Sequence, residues 1–226
     1  MDSPLGPRKS PRQRRSRQTV DWILIAATQL FTTDGYRETT TNKIAERAGV
    51  SIGTLYQYFP NKDALLVALA ERHMTETGGQ VVAAIERAAD EHCSLSELLR
   101  SVVAAAAEPH TDESALHRLL FQHALRSPAT LSALRTVERR IADALAEQLV
   151  RLGVGGPDPG LSALLVVQGV EAHLHGAALE PPDGRSAEQV VDAVVELWTA
   201  ALNNLPAPLD NRPQKTRGCP DGRSLT

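Results

Sequence analysis

The stretch from Thr39 to Lys62 contains the residue types and spacings that say most about chemistry. Its hydroxyl, amide and ammonium groups are those with which proteins contact nucleic acids. An amide such as that of Gln57 can pair with the edge of an adenine, and threonine or lysine can reach phosphate oxygens. The stretch therefore predicts a nucleic-acid-binding surface.

Two short helices with a tight turn between them would hold these side chains in place. Ile44 and Ala48 lie four apart in the first helix, and Leu55 and Phe59 lie four apart in the second, so each helix has an apolar face. Gly49 permits the left-handed backbone that ends a helix, and the serine two residues later can cap the next one. This pattern is that of a helix-turn-helix, whose second helix can enter the DNA major groove.

Seven histidines raise the question of a metal site. His173 and His175 are two positions apart and His117 and His123 are six apart, whereas helical ligand pairs prefer a separation of four. No nucleophile, base and orienting group can be assembled from the spacing either. We therefore expect no metal, no cofactor and no enzymatic activity.

The charge of the chain is divided unevenly. The 226 residues carry a net charge of -3, but residues 1–62 hold ten basic and five acidic residues and the remainder holds fourteen and twenty-two. The basic part coincides with the helix-turn-helix, as a nucleic-acid footprint requires. Two cysteines are too few for a disulfide framework or a zinc ribbon. No apolar run approaches the length of a membrane span, so we expect no membrane contact and a cytoplasmic location.

The pattern divides the chain into four parts. Residues 1–17 are basic and rich in proline, which predicts disorder; they form either a solvated tail or an arm that reaches DNA. Residues 18–62 form a three-helix head, because the apolar residues of 19–33 recur at helical period. Residues 63–205 form a helical effector and dimerisation domain, and 206–226 a disordered tail.

The helix from Asp63 connects the head to the rest, and we expect Gly78 and Gly79 to break or kink it. Further helices follow, two of them introduced by capping boxes at Ser94 with Glu97 and at Ser186 with Gln189. A long apolar stripe between residues 129 and 152 has two polar interruptions. In total the chain predicts about nine helices and an all-α fold.

The last two helices, at about 161–179 and 186–205, are apolar over wide arcs. A helix that is apolar nearly all round must be buried on two sides. We therefore expect this hairpin to pair with its twofold mate in a homodimer; burial in the core of a monomer is the alternative.

From Gln18 to Leu69 the sequence closely resembles the TetR family of bacterial transcriptional regulators. The resemblance is carried by the end of the first helix (LFTTDGY, 30–36), by IAERAGVS (44–51), by GTLYQYF (53–59) and by Asn61 and Lys62. Beyond Leu69 only the all-helical pattern and the length agree with that family.

The resemblance implies a recognition helix that begins after Ser51. We expect its exposed residues to contact bases: Ile52, Gly53, Thr54, Tyr56 and Gln57. Tyr56 could instead pack between helices. Phosphate contacts are expected from the residues around the helix ends: Thr39, Thr40, Thr41, Tyr58 and Lys62.

We also expect a pocket for a small-molecule ligand in the second domain. Polar and aromatic residues on otherwise apolar helices are its candidates: Phe121, Gln122, His123, Glu171, His175 and Trp198. Scattered surface or buried histidines are the alternative explanation.

Together these patterns predict a ligand-responsive, sequence-specific DNA-binding regulator. We expect a homodimeric repressor that a small-molecule effector releases from a palindromic operator on double-stranded DNA. A constitutive or activating DNA-binding protein without an effector is the alternative function.

Overall fold

The computed structural model describes residues 11–112, 119–120, 128–174, 176 and 184–206, and within these ranges it contains helices and turns but no strand. The all-α prediction is confirmed. Eight helices can be delimited: α1 Pro11–Thr33, α2 Thr41–Arg47, α3 Ile52–Tyr58, α4 Lys62–Asp90, α5 Leu95–Asp112, α6 Pro128–Leu152, α7 Pro159–His173 and α8 Ala187–Asn203. The expected helix between residues 111 and 126 falls mostly outside the described residues.

The head is built on a single apolar core. The stripe of α1 is buried as its period predicts, with Ile23 and Ala27 fully inaccessible. Ile44 of α2 and Leu55 of α3 meet it in the same core. The two short helices could not bury a core by themselves, so α1 supplies the surface on which they are held.

Helix α1 begins earlier than expected. It starts at Pro11, so residues 11–17, which we assigned to a disordered arm, belong to the helix. Proline is favoured at the first position of a helix because its missing N–H would be unpaired there in any case. The basic residues of this segment therefore extend α1 by nearly two turns.

Helix α4 is continuous from Lys62 to Asp90, and the expected break at Gly78 and Gly79 is absent. Gly78 is buried at the crossing of α4 with α6, where a methyl group on it would overlap Val137 Cγ1. Nothing lies within 4 Å of a methyl group placed on Gly79. The first of the two glycines is thus required for close helix packing and does not act as a kink.

Helix α4 belongs to both parts of the molecule. Leu65, Leu66 and Leu69 lie in the core of the head, whereas Val81 and Ile85 lie in a second core. The expected boundary at residue 62 therefore cuts through a core, and the boundary lies within α4 instead. A displacement of α4 must move residues of both cores.

The second core lies among α4, α5, α6, α7 and α8. Both capping boxes are confirmed: the hydroxyl of Ser186 accepts from Gln189 N, and that of Ser94 accepts from Glu97 N. Outside this core, Leu161, Leu165 and Leu197 of α7 and α8 are about half exposed in the single chain. The two last helices thus keep an uncovered apolar face.

Candidate nucleic-acid interface and cavity

Helix α3 is held by local contacts that leave one face to solvent. The hydroxyl of Ser51 accepts a hydrogen bond from Thr54 N at 3.0 Å, which caps the helix. Leu55 and Phe59 point into the core and are buried. The opposite face, which carries Ile52, Gly53, Tyr56 and Gln57, is exposed. Its position follows from the cap and the two buried anchors.

The turn that sets α3 against α2 has the predicted geometry. Gly49 adopts a φ of +67°, in the left-handed region that favours glycine. The hydroxyls of Thr41 and Tyr56 lie 3.1 Å apart and join the two helices at the surface. Tyr56 is nevertheless 50% exposed, so it both links the helices and remains accessible.

The hydroxyl groups of Thr54 and Tyr58 make hydrogen bonds within the head. The hydroxyl of Thr54 lies 2.8 Å from that of Ser51, so it completes the cap of α3. The hydroxyl of Tyr58 donates to Ser16 Oγ at 3.1 Å, so it holds the extended start of α1 against the end of α3. Both side chains are half-buried.

The side chain of Thr39 is engaged within the head, which differs from its expected role as a phosphate contact. Thr39 is only 1% exposed, and its hydroxyl lies 2.8 Å from the carbonyl of Gly35 and 3.1 Å from that of Leu30. A buried hydroxyl must find such acceptors, so Thr39 fastens the loop between α1 and α2. Thr40, one residue later, is exposed and caps α2 by accepting from Lys43 N.

Lys62 also differs from its expected role as a free phosphate contact. Its Nζ donates to the carbonyls of Tyr36, Arg37 and Thr39, and it lies 4.2 Å from the centroid of the Tyr36 ring. An ammonium has three donors, and these carbonyls engage all of them. Lys62 therefore fixes the loop to the start of α4.

The same loop is joined to α4 a second time. The hydroxyl of Tyr36 donates to the carboxylate of Asp63, the second residue of α4. Burial, followed by this hydrogen bond, raises the pKa of Tyr36, so the phenol remains a hydrogen-bond donor even in alkaline solution. Two neighbouring residues at the start of α4 are thus bound to the loop that precedes α2.

Other cations of the head remain at its surface. Lys43 is exposed and lies 3.2 Å from the carboxylate of Asp34, and Arg47 is exposed with its Nε donating to Gln29 Oε1 at 2.6 Å. Arg37 and the two described arginines of α1, Arg15 and Arg17, are exposed as well. The number of basic residues in the head predicted exposed cations. Their positions, however, depend on how α1 and α2 pack.

A cavity of about 140 Å³ lies in the second domain. Its wall is mainly apolar and comes chiefly from four helices, for example from Met74 of α4, Val102 of α5, Ile141 of α6 and Val170 of α7, with Leu120 as a further member. Four lining residues carry polar side chains: His73, Thr77, Glu138 and Glu171. An apolar enclosure with a few polar groups is the usual form of a small-molecule site.

Of the six residues expected to line a pocket, Glu171 does so. Trp198 does not line this cavity: it packs on Gly169, where a methyl group would overlap its ring. The others, Phe121, Gln122, His123 and His175, lie outside the described residues. Glu138 and His73 also line the cavity, although neither was among the expected pocket residues. One signal for Glu138 was present, because it interrupts the apolar stripe of α6.

The two carboxyl groups of the cavity interact with each other. Burial first, and then the charge and hydrogen bond of Glu138, raise the pKa of Glu171 from 4.5 to about 7. Glu138 is 9% exposed, and its Oε2 accepts from Gln168 Nε2 at 3.2 Å. The pair is therefore able to retain a proton near neutral pH.

The described ranges contain no group of three or more histidine, cysteine, aspartate or glutamate side chains that could hold a metal ion. No helix among them is sufficiently long and apolar to cross a membrane.

The fold and the exposed α3 define a helix-turn-helix protein with a second, helical domain. Residues 23–69 match the family of bacterial regulatory proteins of the tetR type, and residues 94–202 match the tetracyclin repressor-like C-terminal domain. The chain belongs to the tetR family.

Individual relatives agree with this assignment. The chain is 30% identical over 154 residues to the transcriptional activator FasR of Mycolicibacterium smegmatis, a match that covers 68% of this chain and 64% of that protein. It is 35% identical over 81 residues to the fatty acid metabolism regulator protein of Bacillus subtilis, covering 36% and 40%. The chain thus spans less than two thirds of the length of either curated relative.

A solved structure shares the fold. A TetR-family regulator from Mesorhizobium loti superposes with a TM-score of 0.64 at 24% sequence identity, covering 84% of this chain and 98% of that one. The similarity extends over both the head and the second domain.

Proposed function

We propose that the chain is a homodimeric, DNA-binding regulator of transcription that acts in the cytoplasm, and that it leaves a palindromic operator when a small lipophilic molecule occupies the cavity. The observation that carries this proposal is the double role of α4. Its first turn is bound to the head through Lys62 and Asp63, and its middle turns wall the cavity with His73, Met74 and Val81. A molecule in the cavity would therefore touch the helix that carries the head.

We assign base contacts to the exposed face of α3, with Ile52, Gly53, Tyr56 and Gln57 as its members and Thr54 at its edge. Gly53 supports this assignment because the fold does not require it: a methyl group there would have only Ser51 Oγ near it, at 3.8 Å. Glycine inside a helix costs about 1 kcal/mol relative to alanine. Close approach of the backbone to a partner outside the protein would explain why that cost is retained.

Phosphate contacts are assigned to the ends of the two helices. Thr40 and Thr41 lie at the start of α2, and Tyr58 at the end of α3 has its hydroxyl near the start of α1. Lys43 and Arg47 of α2 add exposed cations. Such contacts would position the head on DNA and make binding dependent on salt, whereas the face of α3 would select the sequence.

The proposed dimer would use α7 and α8. Their half-exposed leucines, Leu161, Leu165 and Leu197, form an apolar surface that a second copy could cover with the same residues. A twofold dimer presents two copies of α3, which can enter successive major grooves only at a separation of about 34 to 36 Å. A twofold protein also explains why the proposed operator is a palindrome.

Release from DNA would be a shift of the dimer between two conformations that differ in the distance between the two heads. The cavity of about 140 Å³ is smaller than most ligand sites, which are on the order of 300 Å³ or more, so a larger molecule must move its walls. The buried contact of Gly78 with Val137 lies in that wall, so a displacement of α6 would be passed to α4. The ligand can change DNA binding only by its difference in affinity for the two spacings.

A second candidate is a regulator that activates, or that needs no effector. It is favoured by the similarity to FasR of Mycolicibacterium smegmatis over 154 residues, because FasR is named a transcriptional activator. The relative named for fatty acid metabolism, in contrast, supports a lipophilic effector, although its match is confined to 81 residues. The direction of regulation is therefore a proposal that the operator position in the genome would test.

Selection of bound duplexes from a random DNA pool tests the proposal. We expect an inverted repeat whose half-sites are one helical turn apart. Gln57→Ala should relax the preference at particular base pairs, and Gly53→Ala should weaken specific binding while α3 becomes more stable. Gly79→Ala, which also places a methyl group in open space on a helix, is the matched control. Recovery of no repeated sequence would contradict sequence-specific binding.

A further inference from the structure

Two carboxyl groups from different helices meet in the cavity. Glu138 of α6 and Glu171 of α7 both line it, and Glu138 is 9% exposed. Most of the remaining wall is apolar. Two acids in such an enclosure repel each other when both are ionised, and each loses hydration, so the arrangement is costly unless something positive or a proton lies between them.

Within the described part of the chain, the carboxylate of Glu138 accepts a hydrogen bond from an amide and takes part in no ion pair. Gln168 Nε2 donates to its Oε2 at 3.2 Å, and none of the four ion pairs among the described residues includes it. Glu138 is nonetheless nine-tenths buried. A hydrogen bond from an amide offsets only part of the cost of burying a carboxylate.

The raised pKa of Glu171 indicates that a proton can be retained beside Glu138 near neutral pH. The pKa of Glu171 is raised to about 7 by burial and by Glu138, which agrees with one proton held between the two acids near neutral pH. Among the described lining residues the third titratable group is His73 of α4, and those of α5, Val102 and Ala106, are apolar. A positive ligand group would take the place of that proton.

We infer that the cavity takes a lipophilic cation, a molecule with an apolar body and a positively charged amine or quaternary ammonium group that pairs with Glu138 and Glu171. This inference rests on the proposed function, because it names the chemical class of the effector. An anionic lipophile would bring a further negative charge to the same wall, and a neutral one would leave the pair with its proton. The two acids thus select the charge of the ligand, and the apolar wall binds its body.

Three probes test this inference. They share a decyl or decanoyl chain and differ in whether the polar head group is positive, neutral or negative. Binding of decyltrimethylammonium, decanol and decanoate to the full-length protein is measured by titration calorimetry, at concentrations below micelle formation. We expect the cation to bind at least about ten-fold more tightly than the alcohol, which corresponds to about 1.4 kcal/mol, and decanoate to bind more weakly than the alcohol. Binding of the cation near pH 7 should also release up to about one proton, seen as a dependence of the heat on the buffer.

Isosteric variants connect the preference to the two acids. Glu138→Gln with Glu171→Gln should abolish the preference for the cation, and each single variant should reduce it. Glu147→Gln, on the exposed side of α6, is the matched control and should retain the preference. Thermal unfolding of each variant checks that it is folded, and a single variant replaces the double one if the latter is not.

The outcomes separate this inference from the proposed function. Tighter binding of decanoate or decanol, binding of none of the three probes, or an unchanged preference in the glutamine variants would overturn the inference. DNA release by decanoate alone would also overturn it, while the proposed regulation by an effector would stand. Binding of the cation with the expected preference but without any effect on DNA affinity would leave the ligand class correct and contradict the proposed regulation.

Discussion

The exposed face of α3 and the cavity are built in opposite ways. A cap at Ser51, two buried anchors at Leu55 and Phe59 and one turn at Gly49 place α3, and all of them lie within eleven residues of sequence. The cavity is walled by residues of four helices, from Ala70 to Leu174. Substitutions on the exposed face should therefore act locally, whereas substitutions in the cavity wall should act at a distance.

The two regions also differ in what their polar groups do. On α3 they face solvent, where an unpaired amide such as that of Gln57 is hydrated and ready to exchange water for a base. In the cavity the acids of Glu138 and Glu171 have lost most of their hydration, so their interactions depend strongly on charge. The first region suits discrimination by hydrogen-bond pattern, and the second suits discrimination by charge.

The largest effect is expected in the core under α3. Leu55→Ala should lower the free energy of unfolding by about 2 to 5 kcal/mol, because Leu55 is fully buried. Ile52→Ala, on the exposed face, should change stability by only about 0.5 kcal/mol. Urea unfolding followed by circular dichroism measures both. Similar losses in the two variants would contradict the assignment of the two faces.

The next effect concerns the wall between α4 and α6. Gly78→Ala should cost about 1 to 3 kcal/mol, because its methyl group would overlap Val137 and the crossing must widen. Gly79→Ala should instead stabilise the helix by up to about 1 kcal/mol. Thermal unfolding of the two variants shows whether Gly78 is needed for the packing of α4 on α6 or only makes α4 more flexible. A gain of stability in both variants would mean that α6 is not packed on Gly78.

A smaller effect separates two lysines of the head. Lys62→Met should weaken binding to all DNA sequences with an unchanged dependence on salt, because the ammonium of Lys62 is engaged by the carbonyls of the loop before α2. Lys43→Met should reduce the salt slope by about one. Fluorescence anisotropy of a labelled duplex between 50 and about 200 mM salt gives both slopes. A reduced slope for Lys62→Met would restore Lys62 as a phosphate contact.

The last effect should appear in the pH dependence of stability. Folded Glu171 binds a proton more readily than unfolded Glu171, since its pKa is about 7 rather than 4.5. The folded state therefore carries more protons between these pH values, and stability falls as the pH rises through this window. Glu171→Gln should reduce the difference between the melting temperatures at pH 5 and pH 8. Glu147→Gln should leave that difference as in the natural protein.

The helix-turn-helix could be read from the sequence because its determinants are local. The cap at Ser51, the left-handed Gly49 and the apolar pairs at spacing four each depend on neighbours within one or two turns. Thr39 and Lys62 could not be read in this way. Their partners are backbone carbonyls of the loop between α1 and α2, and only the folded loop brings these close.

The cavity could be predicted only in part, for a related reason. Its lining depends on how four helices cross, which periodicity within each helix does not determine. Glu171 was found as a polar residue on an apolar helix, whereas Trp198, with the same signal, fills the space over Gly169. Glu138 gave a signal as an interruption of the stripe of α6, and it becomes informative only beside Glu171.

The central claim is that occupancy of the cavity changes the spacing of the two heads through α4. The direct measurement is the distance between spin labels on Glu46→Cys, an exposed position of α2, in a dimer whose two natural cysteines are replaced by serine. The distance distribution is recorded alone, with operator DNA, and with whichever decyl probe binds. We predict that the bound probe moves the distribution away from that of the DNA complex. A saturating probe that leaves the distribution unchanged would contradict the account.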